Sequence, residues 1–322
     1  MRVRDRIATL HSRIGNSEIQ VCVGFSGGLD SSVLLHLLAA IAADCRLVVS
    51  ALHVNHGLSP NADAWESHCA ITCSRSDIAL QIERPKVSRG PGQSLEEQAR
   101  IARFGAFAMS NAAVIALAHH ADDQAETVIL QMLRGAGPKG LAAMPEYSAR
   151  GGMPGVWRPL LNTPRAELLA YAKAFDLGWV EDESNQDTDF KRNFLRRRIW
   201  PMLEEGFPAP SRMIARVAGL QAEAAALLDE LADSDLADLV CEDGLDCLRL
   251  KALSARRQAN LLRRWISRHG ARAPSAARLA ALCRALADTS NDTRLTWNHE
   301  HLTVFRRRAR LLIATRPGPP DR

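Results

Sequence analysis

The first half of the chain alternates short β-branched apolar runs with longer stretches whose apolar positions recur at helical spacing, the pattern of βαβ units. Strands are expected at 19–25, 47–54, 79–83 and 113–118, and helices at 30–43, 62–76, 95–111 and 122–133. Such units build a parallel sheet covered by helices, and ligands of such sheets bind beyond the carboxyl ends of the strands. The positions to inspect are therefore those that follow Phe25, Val54 and Ala118.

Residues 134–165 break this alternation. Gly, Pro and Met dominate RGAGPKGLAAMPEYSARGGMPG, which predicts one long functional loop. Thr163-Pro164 then predicts an N-cap followed by Pro at the first helical position. From about Pro208 a long periodic helix begins, acidic in its second half, and it places the division of the chain into 1–207 and 208–322. The expected fold is α/β: a Rossmann-like parallel-sheet domain followed by a smaller, mainly helical domain.

Composition adds limits. A chain of 322 residues, 47% hydrophobic and 24% charged, has the balance of a two-domain globular protein. No apolar run reaches the ~20 residues of a membrane span, and MRVRDRIATL supplies no secretory core, so a cytoplasmic protein with no membrane partner is expected. Seven cysteines, an odd and sparse set, suit a reducing compartment. The net charge of +5 lies wholly in 216–322, where residues 217–248 hold nine acids and no Lys or Arg, and 247–287 hold ten cations and no acid. The basic block reads equally well as a solvated helix face and as a surface that tracks nucleic-acid phosphates.

Two constellations carry chemistry. Ser26-Gly27-Gly28-Leu29-Asp30-Ser31-Ser32 follows a strand and opens a helix. Its glycines let backbone N–H groups turn inward, its hydroxyls add donors, and the helix amino end adds positive potential, so it predicts a phosphate cradle with Asp30 placed for a metal. It lacks the lysine of a Walker A loop and the spacing of a dinucleotide fingerprint. The second run, His119-His120-Ala121-Asp122-Asp123-Gln124-Ala125-Glu126, also follows a strand, and its i,i+3 spacing puts Asp123 and Glu126 on one helical face. One carboxylate can share Mg²⁺ with Asp30, and another can orient or deprotonate an amine. It is not an HExxH zinc site.

SGGLDS resembles the PP-loop of ATP pyrophosphatases, which adenylate an oxygen and release pyrophosphate. With His53-Val54-Asn55-His56-Gly57-Leu58-Ser59-Pro60-Asn61, LAHHADDQAET, LRGAGPKGL, WRPLL, Asp182-Glu183-Ser184-Asn185 and KRNFLRRR, the order of motifs from about Gln20 to Leu203 resembles the tRNA(Ile)-lysidine synthetase branch of that family. The resemblance implies that ATP and Mg²⁺ are used to adenylate the wobble cytidine of the isoleucine tRNA with a CAU anticodon. L-lysine then displaces AMP to give lysidine. It implies that Ser26, Gly27, Gly28, Leu29, Asp30 and Ser31 hold ATP, that Asp30 and Asp123 hold the metal, and that Asn61, His119, Asp123, Glu126 and Arg192 are catalytic. Arg196, one helical turn from Arg192, competes for that last assignment, and the cations of 191–198 point to tRNA contact. A homodimer is compatible with it. Beyond 208 the resemblance is architectural: a helical, basic domain that grips tRNA.

The rival readings are a tRNA thiolase, a PP-loop amide synthetase and a non-catalytic tRNA- or nucleotide-binding protein. A thiolase needs reactive cysteines, whereas Cys69 and Cys73 are spaced CxxxC on an amphipathic helix.

Overall fold

The computed structural model describes residues 2–15, 18–87, 95–150, 152–183, 191–241, 244–288 and 295–316. Ser184 and Asn185 lie outside the described residues. The chain forms two compact units, Met1–Gln221 and Ala222–Arg322.

The first unit is built on a six-stranded sheet of order β3-β2-β1-β4-β6-β5. Its strands are β1 (Ile19–Gly24), β2 (Leu47–Val54), β3 (Ala79–Glu83), β4 (Val114–Ala116), β5 (Tyr147–Arg150) and β6 (Met153–Trp157). β1 pairs in parallel with β2 on one side and with β4 on the other, in registers Ile19↔Leu47 and Val21↔Val114. The chain therefore winds outward through β2 and β3 and then returns to the opposite edge of β1. That reversal opens a crevice at the carboxyl ends of β1 and β4, the place where ligands of such sheets bind.

The elements come in the order α1 (Arg2–Ile14), α2 (Leu29–Ile41) after β1, α3 (Ala62–Arg75) after β2, α4 (Leu95–Ala108) after β3 and α5 (Ala121–Met132) after β4. α2 buries Leu29, Val33, Leu34, Leu35 and Leu38 against Val21, Val23 and Phe25, which anchors its first turn at the crevice.

Two expectations for 134–165 are corrected. The stretch is not a single loop: it holds α6 (Pro138–Leu141) and the strands β5 and β6. β6 extends the parallel sheet beside β4, and β5 closes its edge antiparallel. Gly155 allows this, since a Cβ there would stand 2.5 Å from the Tyr147 hydroxyl on the neighbouring strand. Further on, α7 (Arg165–Ala174) has Pro164 as its N-cap and not as its first residue. A proline has no capping side chain, and the Arg165 N–H instead donates to Asp122 Oδ2 at 2.8 Å.

After the undescribed 184–190 come α8 (Lys191–Phe194), a π-helical turn (Leu195–Ile199) and α9 (Trp200–Gly206). The division between the units falls inside α10 (Pro210–Leu239).

The second unit adds strands to the expected helices. α11 (Cys247–Ala252), α12 (Ala255–Arg268) and α13 (Ala276–Asp288) accompany an antiparallel sheet of order β7-β8-β11-β10-β9, from β7 (Val240–Cys241), β8 (Gly244–Asp246), β9 (Thr296–His299), β10 (Leu302–Arg307) and β11 (Arg310–Thr315). Leu236, Leu261, Leu262, Trp265, Ile266, Leu282, Val304 and Leu311 share its core.

Among the described residues three of the ten cations of the basic block pair with the acidic one. Arg264 grips Asp233 at 2.7 and 2.8 Å and Asp229 at 2.9 Å, Arg268 reaches Asp233 at 2.9 Å, and Arg257 pairs with the buried Asp235. Through these pairs the three arginines fasten α12 to α10.

Candidate active site

The turn after β1 opens as a cradle. Gly27 adopts φ +81°, a conformation that favours glycine, and any Cβ there would meet Cys69 Sγ at 3.0 Å and His68 Cδ2 at 3.3 Å. The Gly27 carbonyl is fixed by the Val180 N–H at 2.9 Å. Gly28 is the N-cap of the 13-residue α2 and offers no side-chain cap, so the first N–H groups of that helix are open to an anion. The serine hydroxyls are partly used within the loop. Ser31 Oγ donates to the Gly28 carbonyl at 3.0 Å and meets Ser26 Oγ at 3.0 Å, while Ser32 Oγ lies 3.4 Å from the Gly27 carbonyl. Ser26 is the exposed hydroxyl of the three.

Asp30 stands on the first turn of α2. Its Oδ2 is 3.6 Å from His120 Nε2 and its Oδ1 is 3.8 Å from Arg165 Nε. Oδ1 is buried without a hydrogen-bond partner among the described residues. That orphaned oxygen fits a divalent cation. No group of three or more His, Cys, Asp or Glu with metal-binding geometry occurs among the described residues. A magnesium ion fits nevertheless, because it is ordinarily held by one or two carboxylates together with substrate phosphates.

The turn after β4 brings the second set to the adjacent strand. His120 is the N-cap of α5 and is buried among Asp30, Asp122 and Asp123, with Asp123 Oδ2 at 3.4 Å from Nε2 and Asp122 Oδ2 at 3.5 Å from Nδ1. Burial alone would push its pKa down, but the hydrogen bonds to Asp122 and Asp30 and the charges around it outweigh burial and raise it to about 10. The ring is therefore an imidazolium at neutral pH. Its Nδ1 then donates to Asp122, so the 3.4 Å approach of the Asp123 N–H to Nδ1 is a close contact. The cap rests on the reciprocal bond, His120 N–H to Asp123 Oδ2 at 3.1 Å. Burial also raises the cost of a charged Asp122, yet His120 and the Arg165 N–H hold it down at about 2.

His119 has the opposite fate. Burial lowers its pKa to about 4, with the positive charges of Arg158 and Arg192 adding to it, and Nδ1 lacks a partner among the described residues. It is a neutral imidazole with one unused nitrogen.

Glu126, one turn along α5, is only 2% exposed and receives two guanidinium groups. Arg192 Nε donates to Oε2 and Arg196 Nε to Oε1, both at 2.7 Å, and Arg196 Nη2 reaches Oε2 at 3.0 Å. The same arginines share Asp123 Oδ1 at 3.3 and 3.4 Å. The i,i+4 separation of Arg192 and Arg196 puts them on one side of the helix, and both reach the same two carboxylates.

Of the expected site residues, Asp30, His119, Asp123, Glu126 and Arg192 converge, with the loop Ser26–Ser31 joined to them through Asp30. Asn61 lies apart from that network, at the N-cap of α3, and its Nδ2 donates to Glu183. Sequence reasoning passed over His120 as the bridge, Asp122 as the cap of α7, and Arg165. The signal for His120 was present in its position immediately before Ala121-Asp122-Asp123.

All seven cysteines are free, and burial pushes Cys69 up to about 12 and Cys73 up to about 11, far from reactive thiolates.

Known protein families match both units of the chain. Residues 2–203 match the PP-loop domain family, and residues 245–312 match the TilS substrate binding domain. A tRNA(Ile)-lysidine synthase of Chromobacterium violaceum is 51% identical over 81% of this chain and 60% of its own length. Another, of Alkalilimnicola ehrlichii, is 44% identical over 94% of this chain and 69% of its own. The chain thus spans about 60–69% of the length of these relatives. Among solved structures, the U34-tRNA thiolase NcsA from Methanococcus maripaludis with its [4Fe-4S] cluster aligns with TM-score 0.58 over 69% of this chain and 78% of that one. At 19% identity this is a likeness of fold alone.

Proposed function

The chain belongs to the tRNA(Ile)-lysidine synthase family, and from that premise we propose that it joins L-lysine to the wobble cytidine of a CAU-anticodon isoleucine tRNA, using ATP. The carbon-2 oxygen of the cytidine attacks the α-phosphorus of ATP; an O–P bond forms as the bond to pyrophosphate breaks. The lysine amine then attacks carbon 2 and loses a proton. A C–N bond forms as the C–O bond breaks, and AMP leaves with that oxygen.

In this reading the open amino end of α2 and the loop Ser26–Ser31 take the polyphosphate. Asp30, with its unpartnered oxygen, would hold Mg²⁺, which would supply neutralisation of phosphate charge. Arg192 and Arg196 stand ready for the charge that develops on the departing groups. Asp123 and Glu126 take a lysine ammonium. His119 offers a neutral imidazole to the reacting groups, and Asn61 orients substrate from the start of α3. Seven free cysteines suit the cytoplasm, where ATP and tRNA are both supplied.

One observation carries the reading: a helix end suited to phosphate and a buried guanidinium–carboxylate cluster meet across His120, between neighbouring strands β1 and β4. The test is incorporation of radiolabelled lysine into unmodified CAU-anticodon isoleucine tRNA. Label that depends on ATP and appears with AMP and pyrophosphate is expected. Pyrophosphate released without lysine in the RNA would move the nucleophile, and with it the substrate assignment, elsewhere.

A further inference from the structure

The carboxylates assigned above to the lysine amine are already paired by the protein itself. Glu126 has both oxygens on guanidinium groups at 2.7 Å, and Asp123 has Oδ2 on the His120 N–H and Oδ1 shared by Arg192 and Arg196. An entering ammonium must compete there with two guanidinium groups and the His120 N–H. Displacing a guanidinium unaided would strip a cation of its partners and leave the exchange unfavourable.

The charges of the constellation point the same way. Three guanidinium groups, those of Arg165, Arg192 and Arg196, stand against Asp30, Asp123 and Glu126. One more cation unbalances this set, whereas a polyphosphate competes directly for its arginines, because guanidinium binds phosphate oxygens bidentately. A nucleotide on α2 would sit next to this network through Asp30 and His120. Both arginines are also reachable from solvent: their side chains are 37% and 38% exposed although the carboxylate they hold is 2% exposed. Arg196 further lies on the π-helical turn Leu195–Ile199, an irregularity that recurs at functional sites.

We infer that Arg196 is a positioning residue that keeps Glu126 and Asp123 closed to free amines until a polyphosphate draws the arginine pair away, so that the amine pocket forms in the nucleotide-bound enzyme. The inference rests on the lysine reading proposed above. It makes substrate entry ordered, nucleotide before amino acid, and by linkage lysine tightens nucleotide by the same factor.

The experiment is calorimetric titration of L-lysine into the full chain, alone and with magnesium and α,β-methylene-ATP, which cannot release pyrophosphate. The wild type should bind lysine at least about tenfold tighter with nucleotide present. Arg196→Gln should raise lysine affinity in the nucleotide-free arm until the two arms agree, and Arg196→Lys should restore part of the difference. A role in folding alone would weaken both arms alike, and that result would overturn the inference. If Arg196→Gln does not fold, the wild type still decides: equal lysine affinity in both arms overturns the gating and leaves the lysine reading standing. Intact nucleotide binding with no lysine bound in either arm, nor in a third arm that includes the tRNA, overturns the lysine reading and the gate with it.

Discussion

In the first unit Arg192 and Arg196 hold a carboxylate that is 2% exposed, while beside them Asp30 Oδ1 and His119 Nδ1 have no hydrogen-bond partner among the described residues. In the second unit Arg264 and Arg268 lie along α12 against Asp229 and Asp233 of α10, with every carboxylate and guanidinium of that ladder a quarter to a half exposed. Both are arginine–carboxylate clusters, and the second is the denser in sequence. The ladder is complete in itself, whereas the first cluster is buried, partly unsatisfied and joined to an open helix end. Charge density along the chain thus locates ion pairs; what separates a site from a brace is which polar atoms the fold leaves unanswered.

That contrast can be broken at its strongest point by Asp30→Asn, which keeps the shape and removes the charge. AMP formation should fall by about 10²-fold or more, with the circular dichroism spectrum retained. Turnover at the wild-type level would remove Asp30 from the metal and nucleotide assignment. Next in size is Glu126→Ala, which leaves two guanidinium groups facing each other without their buried anion. A loss of about 3–5 kcal/mol in urea unfolding is expected, far above any single change in the α10–α12 ladder.

A third test uses pH. The folded pKa of His120, about 10, lies above the roughly 6.5 of an unfolded histidine, so its stabilisation is complete below pH ~6.5 and is lost as pH rises toward 10. His119, lowered to about 4, acts in the opposite direction: its stabilisation is present above pH ~6.5 and is lost as pH falls toward 4. Urea midpoints should therefore peak near neutrality, and His120→Asn should flatten the alkaline side while leaving the acid side. The smallest effect belongs to the ladder. Arg264→Ala should cost about 1 kcal/mol, less at high salt. Arg263→Ala, at a position with no ion pair among the described residues, should leave stability unchanged and weaken tRNA binding. If Arg264→Ala weakens tRNA binding while stability holds, the brace reading of that arginine is wrong.

The parts of the fold that could be read in advance were those with local signals. β1 to β4 are runs of Val, Ile and Leu, and β2 and β3 begin and end where the pattern placed them. β6 was hidden because Met153-Pro154-Gly155 looks like a turn, and its strand character comes from β4 and from Tyr147. β10 was hidden by Arg306, which takes an inward position after Leu302 and Val304 and satisfies Nε on the Arg308 carbonyl at 2.9 Å.

The site divides in the same way. SGGLDS and HHADDQAE were legible because each is a local motif at a strand end. The pairing of Glu126 was not, since it depends on Arg192 and Arg196 arriving from 66 and 70 residues away. Nor was the separation of Asn61, which its pairing with Glu183 decides.

The uncapped amino end of α2 has one more consequence. The N–H groups of Leu29, Asp30 and Ser31 precede the first intrahelical bond, Ser32 N–H to the Gly28 carbonyl at 3.0 Å, and no side chain of Gly28 closes over them. A polyphosphate accepting those bonds would serve as the capping residue that the sequence omits. The nucleotide is then a late component of secondary structure as well as a reactant. Amide hydrogens at these three positions should exchange more slowly in step with any rise in melting temperature, and inorganic triphosphate should reproduce that protection without adenosine.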